Sequence, residues 1–150
     1  VAEATRQPYA RAVVQHELAN LYASRKRHAQ AEPLFRSSLA LTAGAFRKRS
    51  AEYAICLSDF AGSLTALRKY AEAESVLREA IETTAQVRTT TDPTDPVLLL
   101  LLDRHADLLR KLKRKDEAKQ VQARAQALRE AGAAVPCGQT VDVLELKSRR

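Results

Sequence analysis

Apolar residues recur along this chain at helical spacing, in six blocks separated by short polar stretches. In the first block Leu18, Leu21 and Tyr22 lie three and four positions apart, and in the second block Ala31 and Phe35 are four apart. Such spacing places the side chains on one face of an α-helix. The pattern predicts six helices, over residues 8–25, 29–43, 47–67, 71–89, 96–112 and 116–131.

The blocks repeat in pairs. Residues 17–22 and 29–32 align with residues 59–64 and 71–74 at an offset of 42, and a further offset of 45 carries Ala61 to Ala106 and Ala73 to Ala118. Alanines at equivalent positions allow two helix backbones to approach closely, while larger residues fill the space beside them. The sequence therefore predicts three helical hairpins, which we number as repeats one to three.

The stretches between the helices carry start and stop signals. Gly44 is predicted to cap the second helix, Asp95 is a good N-cap, and Pro96 suits the first position of a helix. The apolar run Val97–Leu102 surrounds its helix on all sides. Such a helix is buried on more than one face.

In these features the chain resembles the tetratricopeptide repeat family, and the longer period and the Ala31–Leu34 phrase resemble the repeats of kinesin light chains. The signature residues are Leu18, Ala19, Tyr22, Ala31, Phe35 and Ser38 in repeat one; Phe60, Ala61, Leu64, Ala73, Leu77 and Ala80 in repeat two; and Ala106, Leu109, Ala118 and Ala125 in repeat three. The resemblance implies an all-α fold, a right-handed superhelical stack of three helix-turn-helix repeats, or α-solenoid. The expected domain spans 8–131, with repeats at 8–43, 47–89 and 96–131 and a C-terminal tail at 132–150.

The two ends of the array differ in sequence. His105 and Gln122 occupy positions that are apolar in the earlier repeats, which is typical of a terminal repeat with a more polar outer face. On the first helix Tyr9, Val13 and Val14 would face solvent unless a preceding repeat or a partner covers them. We therefore expect the parent chain to have carried upstream repeats.

Composition and charge limit the class of protein. The chain has 150 residues, a net charge of +7 and a pI near 9.7, which favours acidic partners. Cys56 and Cys137 are too few for a disulfide framework and predict free thiols in a reducing, cytoplasmic compartment. The longest apolar run is far shorter than the roughly 20 residues of a membrane span. No motif indicates catalytic residues, a metal site or a cofactor.

The resemblance also implies a binding surface, because the first helix of each repeat lines the concave groove in this family. An amide at the Asn20 position would bond the backbone of an extended peptide, although Gly62 at the equivalent position cannot. Asn20 and Arg104 match the carboxylate clamp of co-chaperone repeats, whereas Asp59 and Leu100 break it. The carried-over groove positions are Val13, His16, Asn20, Ser24, Ile55, Ser58, Thr65, Leu100, Asp103, Asp107 and Arg110.

One charge pattern recurs with the fold. The turn between the two helices of each repeat carries a pair of cations, which we call the basic edge: Lys26 and Arg27, Arg68 and Lys69, and Lys113 and Arg114. Cations there interact favourably with the helix dipole, and they would also recruit acidic ligands. We predict a protein interaction module that binds an acidic, extended peptide. The alternative is a regulatory or nucleic-acid-associated segment that uses the basic edge, which the 5% aromatic content argues against.

Overall fold

The computed structural model describes residues 2–46, 51–87 and 95–133, which form six α-helices and, within those ranges, no strand. The prediction of an all-α chain of six helices is confirmed. The helices are α1 (Ala2–Ser24), α2 (His28–Phe46), α3 (Ala51–Ala66), α4 (Tyr70–Val87), α5 (Pro96–Lys111) and α6 (Lys115–Ala133). The tail from residue 134 onward, including Cys137, lies outside the described residues.

Two predicted boundaries were wrong. Helix α1 begins at Ala2 rather than at residue 8 and continues through Pro8. Proline removes one backbone donor, but the helix bonds on either side of it remain. Gly44 does not end α2, because the helix continues to Phe46 and Gly44 sits inside it with open space around its Cβ position.

Each helix packs against the next one along the chain, so the repeats stack in sequence order. In addition α1 contacts α3 and α3 contacts α5, whereas the backbones of α2, α4 and α6 do not approach one another within the described residues. The first helices are therefore closer together than the second helices. This places α1, α3 and α5 on the inner, concave side of the stack.

Small residues hold the repeats at close distance. The six aligned alanines are all at most 2% exposed: Ala19, Ala61 and Ala106 on the first helices, and Ala31, Ala73 and Ala118 on the second helices. Phe35 fills the space beside them and meets Phe60 of the next repeat with 5.8 Å between ring centroids. The core is thus continuous between repeats one and two.

The first helix ends identically in every repeat. Lys26, Arg68 and Lys113 have φ of 62°, 60° and 62°, in the left-handed region. In repeat one the Lys26 N–H donates to the Ala23 carbonyl and the Arg27 N–H to the Tyr22 carbonyl. The other two turns repeat these bonds, which define the Schellman motif. The basic edge therefore occupies the helix ends.

Helix α5 begins as predicted. The Asp95 carboxylate accepts a hydrogen bond from the Val97 N–H at 3.0 Å, and Pro96 takes the first helical position. The apolar run that follows is buried on more than one face, since Leu98, Leu101 and Leu102 are at most 7% exposed.

Candidate functional site

The concave side carries one exposed apolar side chain per repeat, at the same register. Val13, Ile55 and Leu100 are 40%, 41% and 46% exposed, and the repeat offsets of 42 and 45 relate them to one another. We call these three residues the apolar ladder. Large apolar residues elsewhere on α3 and α5 are buried or partly buried, so the ladder is a surface feature that recurs in every repeat.

A polar network joins the middle of the three first helices. The Asp59 carboxylate on α3 lies 3.0 Å from His16 Nε2 and accepts a hydrogen bond from Asn20 Nδ2 at 3.3 Å, both on α1. From α5, Arg104 Nη1 donates to the carbonyl and the hydroxyl of Ser58 at 2.8 and 2.6 Å. Arg104 Nη1 is also 3.8 Å from Asp59 Oδ1. The network thus fixes all three repeats relative to one another.

Asp59 is the negative centre of this network. Burial alone would raise the pKa of Asp59, but the hydrogen bonds and charge of His16, together with Asn20 and Arg104, outweigh it, so the pKa lies below its ordinary value. Asn20 Nδ2 donates to the ionised Asp59 carboxylate and also lies 3.3 Å from His16 Nε2. A peptide backbone would therefore compete with Asp59 for Asn20, which the sequence did not reveal.

Beyond the network the groove opens around Gly62. No atom of another group lies within 4 Å of a Cβ placed on Gly62, and a pocket of about 210 Å³ lies there between α3 and α5. Thr65, Arg104, Asp107 and Lys111 line this pocket. The sequence-predicted residues Thr65 and Asp107 are thus brought together here, beside two cations.

At the other end, a pocket of about 270 Å³ includes three predicted groove residues, Val13, His16 and Ile55. Glu17 and Glu52 stand at its wall, and sequence reasoning missed both. Glu17 lies one helical turn after Val13, so its place in this pocket could have been predicted from that spacing. The groove is therefore acidic at the start of the first helices and basic at their ends.

The remaining predicted groove positions make local bonds. The Ser24 hydroxyl donates to the Leu21 carbonyl at 2.8 Å and is exposed. Asp103 pairs with Arg129 of α6 at 2.5 Å, and Arg110 pairs with Asp107 at 2.5 Å. Ser24 and Asp103 do not line the pocket around Gly62.

Two cations of the basic edge bind a carboxylate of the preceding repeat. Lys69 Nζ donates to both Glu32 oxygens at 2.7 and 2.9 Å, and Arg114 Nη1 donates to both Glu74 oxygens at 2.9 and 2.7 Å. Hydrogen bonds from Lys69, and next from Arg36, hold the pKa of Glu32 below its ordinary value. Glu32 and Glu74 are equivalent residues of successive repeats. Each pair therefore links the turn of one repeat to the second helix of the preceding one, and we call it the inter-repeat clamp.

The other four edge cations point to solvent. Lys26, Arg27, Arg68 and Lys113 are exposed and make no ion pair within the described residues. They remain available to an acidic ligand, whereas Lys69 and Arg114 are already neutralised.

Three groups of potential chemical reactivity, Cys56, His16 and His28, are buried or hydrogen-bonded. Burial raises the pKa of the Cys56 thiol to about 12, so it stays protonated. His16 bonds Asp59, and His28 bonds the Ser63 hydroxyl at 3.3 Å. Across the part of the chain that the structure describes, no three His, Cys, Asp or Glu side chains are placed to hold a metal ion.

Comparison with known proteins identifies the repeat. A tetratricopeptide repeat family model matches residues 10–86, just over half of the chain, and a second one matches residues 101–131. The chain belongs to the tetratricopeptide repeat family. It is an all-α, right-handed α-solenoid of three helix-turn-helix repeats, as predicted.

Solved structures of other proteins share this fold. BtubC (BKLC) from P. vanneervenii matches with a TM-score of 0.76 and 16% identity, over 85% of this chain and 50% of that one. A Podosopora anserina protein described as a kinesin light chain with nearly identical TPR-like repeats matches with a TM-score of 0.69 and 20% identity, over 85% and 58%. A variant of that protein gives 0.68 and 21%, over 80% and 55%.

The chain spans about half the length of these solved structures. No curated protein matches it in sequence. None of the helices in the described ranges is long and apolar enough to cross a membrane.

Proposed function

We propose that in this chain the concave surface of α1, α3 and α5 binds an extended, acidic segment of a partner protein. Tetratricopeptide repeats generally serve as protein–protein interaction and scaffold modules, and they are typically not enzymes. The binding domain would span 8–131. The unpaired Cys56 thiol supports a reducing, cytoplasmic setting.

The apolar ladder is the observation that carries this proposal. Three apolar side chains exposed at one register, one on each first helix, match an extended ligand that places a side chain against each repeat in turn. Burial of such surface is the main favourable contribution to association, at about 25 cal/mol per Å². The polar network beside the ladder links the three helices and so reduces the ordering cost of binding.

Charge supports an acidic ligand at one end. Arg104 and Lys111 line the open pocket around Gly62, and the one carboxylate in its lining, Asp107, pairs with Arg110. The exposed cations of the basic edge lie at the same ends of the first helices. Asp59, Glu17 and Glu52 would repel acidic residues at the middle and the other end of the groove. The ligand should therefore be apolar along the ladder and acidic near Gly62.

Filling the groove at Gly62 tests the proposal. Peptides from an acidic library are selected for binding to the unaltered chain, and their affinity is then measured for Gly62→Leu. A leucine side chain fits at this position without a clash. It should occupy the pocket and so weaken peptide binding at least tenfold. Gly44→Leu is the matched control, because Gly44 is also an exposed helical glycine with open space around it but lies outside the groove. Equal affinity in the two variants would contradict groove binding.

The exposed edge cations should steer the ligand. Rim charges change association rate and salt sensitivity more than final affinity. Arg68→Glu should therefore slow association with an acidic peptide and reduce its salt dependence. Lys69→Glu is a poorer probe than Arg68→Glu, because it also breaks the contact with Glu32. An unchanged rate and salt slope in Arg68→Glu would limit the edge to a structural role.

Salt dependence also distinguishes peptide binding in the groove from the alternative function, a regulatory or nucleic-acid-associated segment that uses the basic edge. Phosphate binding weakens steeply and log-linearly with salt. An interaction centred on the apolar ladder should weaken far less between low and moderate salt.

A further inference from the structure

A pocket of about 340 Å³ lies away from the concave groove, between the second helices α4 and α6 and above α5. Pockets that bind small molecules occupy roughly 300–1,000 Å³. Ile81 of α4, Leu102 of α5 and Val121 of α6 supply its apolar wall. We call it the convex pocket. It shares no lining residue with the pocket around Gly62, so the two sites are separate.

The equivalent place between repeats one and two is filled by large side chains. Tyr53 and Phe60 of α3 are 5% and 3% exposed, and the Tyr53 hydroxyl donates to Glu79 Oε1 at 2.8 Å. Their equivalents on α5 are Leu98 and His105, whose side chains are smaller. The convex pocket therefore lies where the interface of repeats two and three lacks the aromatic volume of the first interface.

Two charges in the lining of the convex pocket are also absent from the first interface. Arg124 stands where repeat two has Glu79, and Glu82 stands where repeat one has Ala40. Both are exposed, and neither makes an ion pair in the part of the chain that the structure describes; Glu82 accepts a hydrogen bond from the Gln86 amide at 3.0 Å. An unpaired cation and an unpaired carboxylate thus line one pocket.

The other polar groups of the lining are occupied within the chain. Arg78 Nη2 donates to Glu74 Oε1 at 2.6 Å, just as Arg36 donates to Glu32 in the preceding repeat. His105 lines the pocket, but its Nε2 is buried 4.0 Å from Glu74 Oε1. A ligand would therefore meet the charges of Arg124 and Glu82 and the apolar wall.

A small zwitterion with an apolar ring matches these three features. A guanidinium and a carboxylate form strong, charge-assisted hydrogen bonds with groups of the opposite charge, and a buried ring adds apolar contact area. We propose that the convex pocket binds a free amino acid with an aromatic side chain. Its carboxylate bonds Arg124, its ammonium group bonds Glu82, and its ring lies against Ile81, Leu102 and Val121. The ligand then joins α4 to α6 across the interface of repeats two and three.

The experiment titrates L-phenylalanine into the chain and follows the backbone amide chemical shifts. Three comparison compounds each lack one feature: 2-phenylethylamine has no carboxylate, 3-phenylpropanoate has no ammonium group, and glycine has no ring. The shift changes should map to α4, α5 and α6 around Ile81, Leu102 and Val121. L-phenylalanine should bind more tightly than each comparison compound by about tenfold or more, which is the scale of a hydrogen bond to a charged group.

Two charge variants assign the ends of the ligand. Arg124→Gln should remove the preference for L-phenylalanine over 2-phenylethylamine, and Glu82→Gln should remove the preference over 3-phenylpropanoate. Lys119→Gln and Glu130→Gln are the matched controls, because both residues are exposed on α6 and do not line the convex pocket. Glu130, like Glu82, accepts a hydrogen bond from a glutamine one turn away. The controls should leave both preferences unchanged.

A third variant rebuilds the first interface at the second one. The triple substitution Leu98→Tyr, His105→Phe and Arg124→Glu introduces the residues that repeat two has at these positions. The new tyrosine and glutamate can form the hydrogen bond seen between Tyr53 and Glu79. This variant should remain folded, as its melting temperature will show, and should lose L-phenylalanine binding.

Several results would overturn the proposal. These are the absence of shift changes in α4 to α6 up to the solubility limit of L-phenylalanine, equal affinity for L-phenylalanine and 2-phenylethylamine, and a preference that survives Arg124→Gln. N-acetylphenylalanine and phenylalaninamide represent the two ends of a peptide chain. If either binds as tightly as L-phenylalanine, the pocket belongs to a peptide end and the proposal of a free amino acid is wrong. None of these results bears on peptide binding in the concave groove.

Discussion

At the scale of single residues, the left-handed residue that ends each first helix is a lysine or an arginine instead of glycine. Lys26, Arg68 and Lys113 all have φ near +60°. The left-handed conformation costs a residue with a Cβ atom roughly 1 kcal/mol relative to glycine. Three repeats carry this cost at the same position, which is consistent with a role for the positive charge there.

Replacing one of these residues by glycine should stabilise the chain. We expect Lys113→Gly to raise the free energy of unfolding by about 0.5–1 kcal/mol, because glycine adopts the conformation freely. Lys111→Gly is the control: it removes the same charge two residues earlier, at the last residue of α5, where the backbone is helical, and it should not raise the free energy of unfolding. Urea unfolding measures both, and a loss of stability in Lys113→Gly would contradict the account of the turn.

His105 is a buried residue with an unsatisfied atom. It is 8% exposed, and its Nε2 has no hydrogen-bond partner among the described residues, with Glu74 Oε1 at 4.0 Å. Burial lowers the pKa of His105; Glu74 and Glu117 oppose this effect, and Arg78 and Arg114 add to it. Because the folded-state pKa is depressed, the unfolded chain binds the proton more readily.

The neutral form of His105 therefore contributes stability that is fully present above the unfolded pKa of about 6.5 and is lost as pH falls toward the lowered folded pKa. His105→Leu should flatten the decline of the melting temperature between pH 7.5 and 5.5. It should also raise stability at pH 7.5 by about 1 kcal/mol, since it removes a buried unsatisfied atom. A melting temperature with the same pH slope as the parent would contradict this explanation.

At the scale of helices, the aligned alanines determine how closely neighbours approach. Ala73 is fully buried in α4. We expect Ala73→Leu to lower the free energy of unfolding by roughly 1–3 kcal/mol, because added volume in a tight contact forces neighbours apart. Ala71→Leu in the same helix is exposed and should change stability by less than about 0.5 kcal/mol. Similar melting temperatures for Ala73→Leu and the parent would contradict the close helix contact at Ala73.

The helices themselves could be predicted from the sequence because their signals are local. Apolar spacing and the Asp95–Pro96 start describe each helix without reference to its neighbours. The two wrong boundaries lie at Pro8 and Gly44, where the surrounding helix continues although both residue types disfavour a helix interior. Propensity alone does not decide such positions.

At the scale of the whole molecule, the residues of the apolar ladder could be predicted from the family resemblance, but the contacts of the polar network could not. Asn20, Asp59 and Arg104 belong to three different repeats, and only the stacking of α1, α3 and α5 brings them together. The inter-repeat clamp could be predicted only in part. Glu32 and Glu74 recur at the offset of the repeat, so the carboxylates that meet Lys69 and Arg114 were visible in the sequence as a repeated residue. Their pairing across repeats required the structure.

The location of the bound ligand tests the central claim most directly. Backbone amide chemical shifts are recorded while a library-selected acidic peptide is titrated into the chain. The largest changes should map to α1, α3 and α5 around Val13, Ile55 and Leu100, and to Gly62 at the basic end of the groove. Changes confined to the turns at Lys26, Arg68 and Lys113, with the apolar ladder unaffected, would contradict groove binding and assign the ligand to the basic edge.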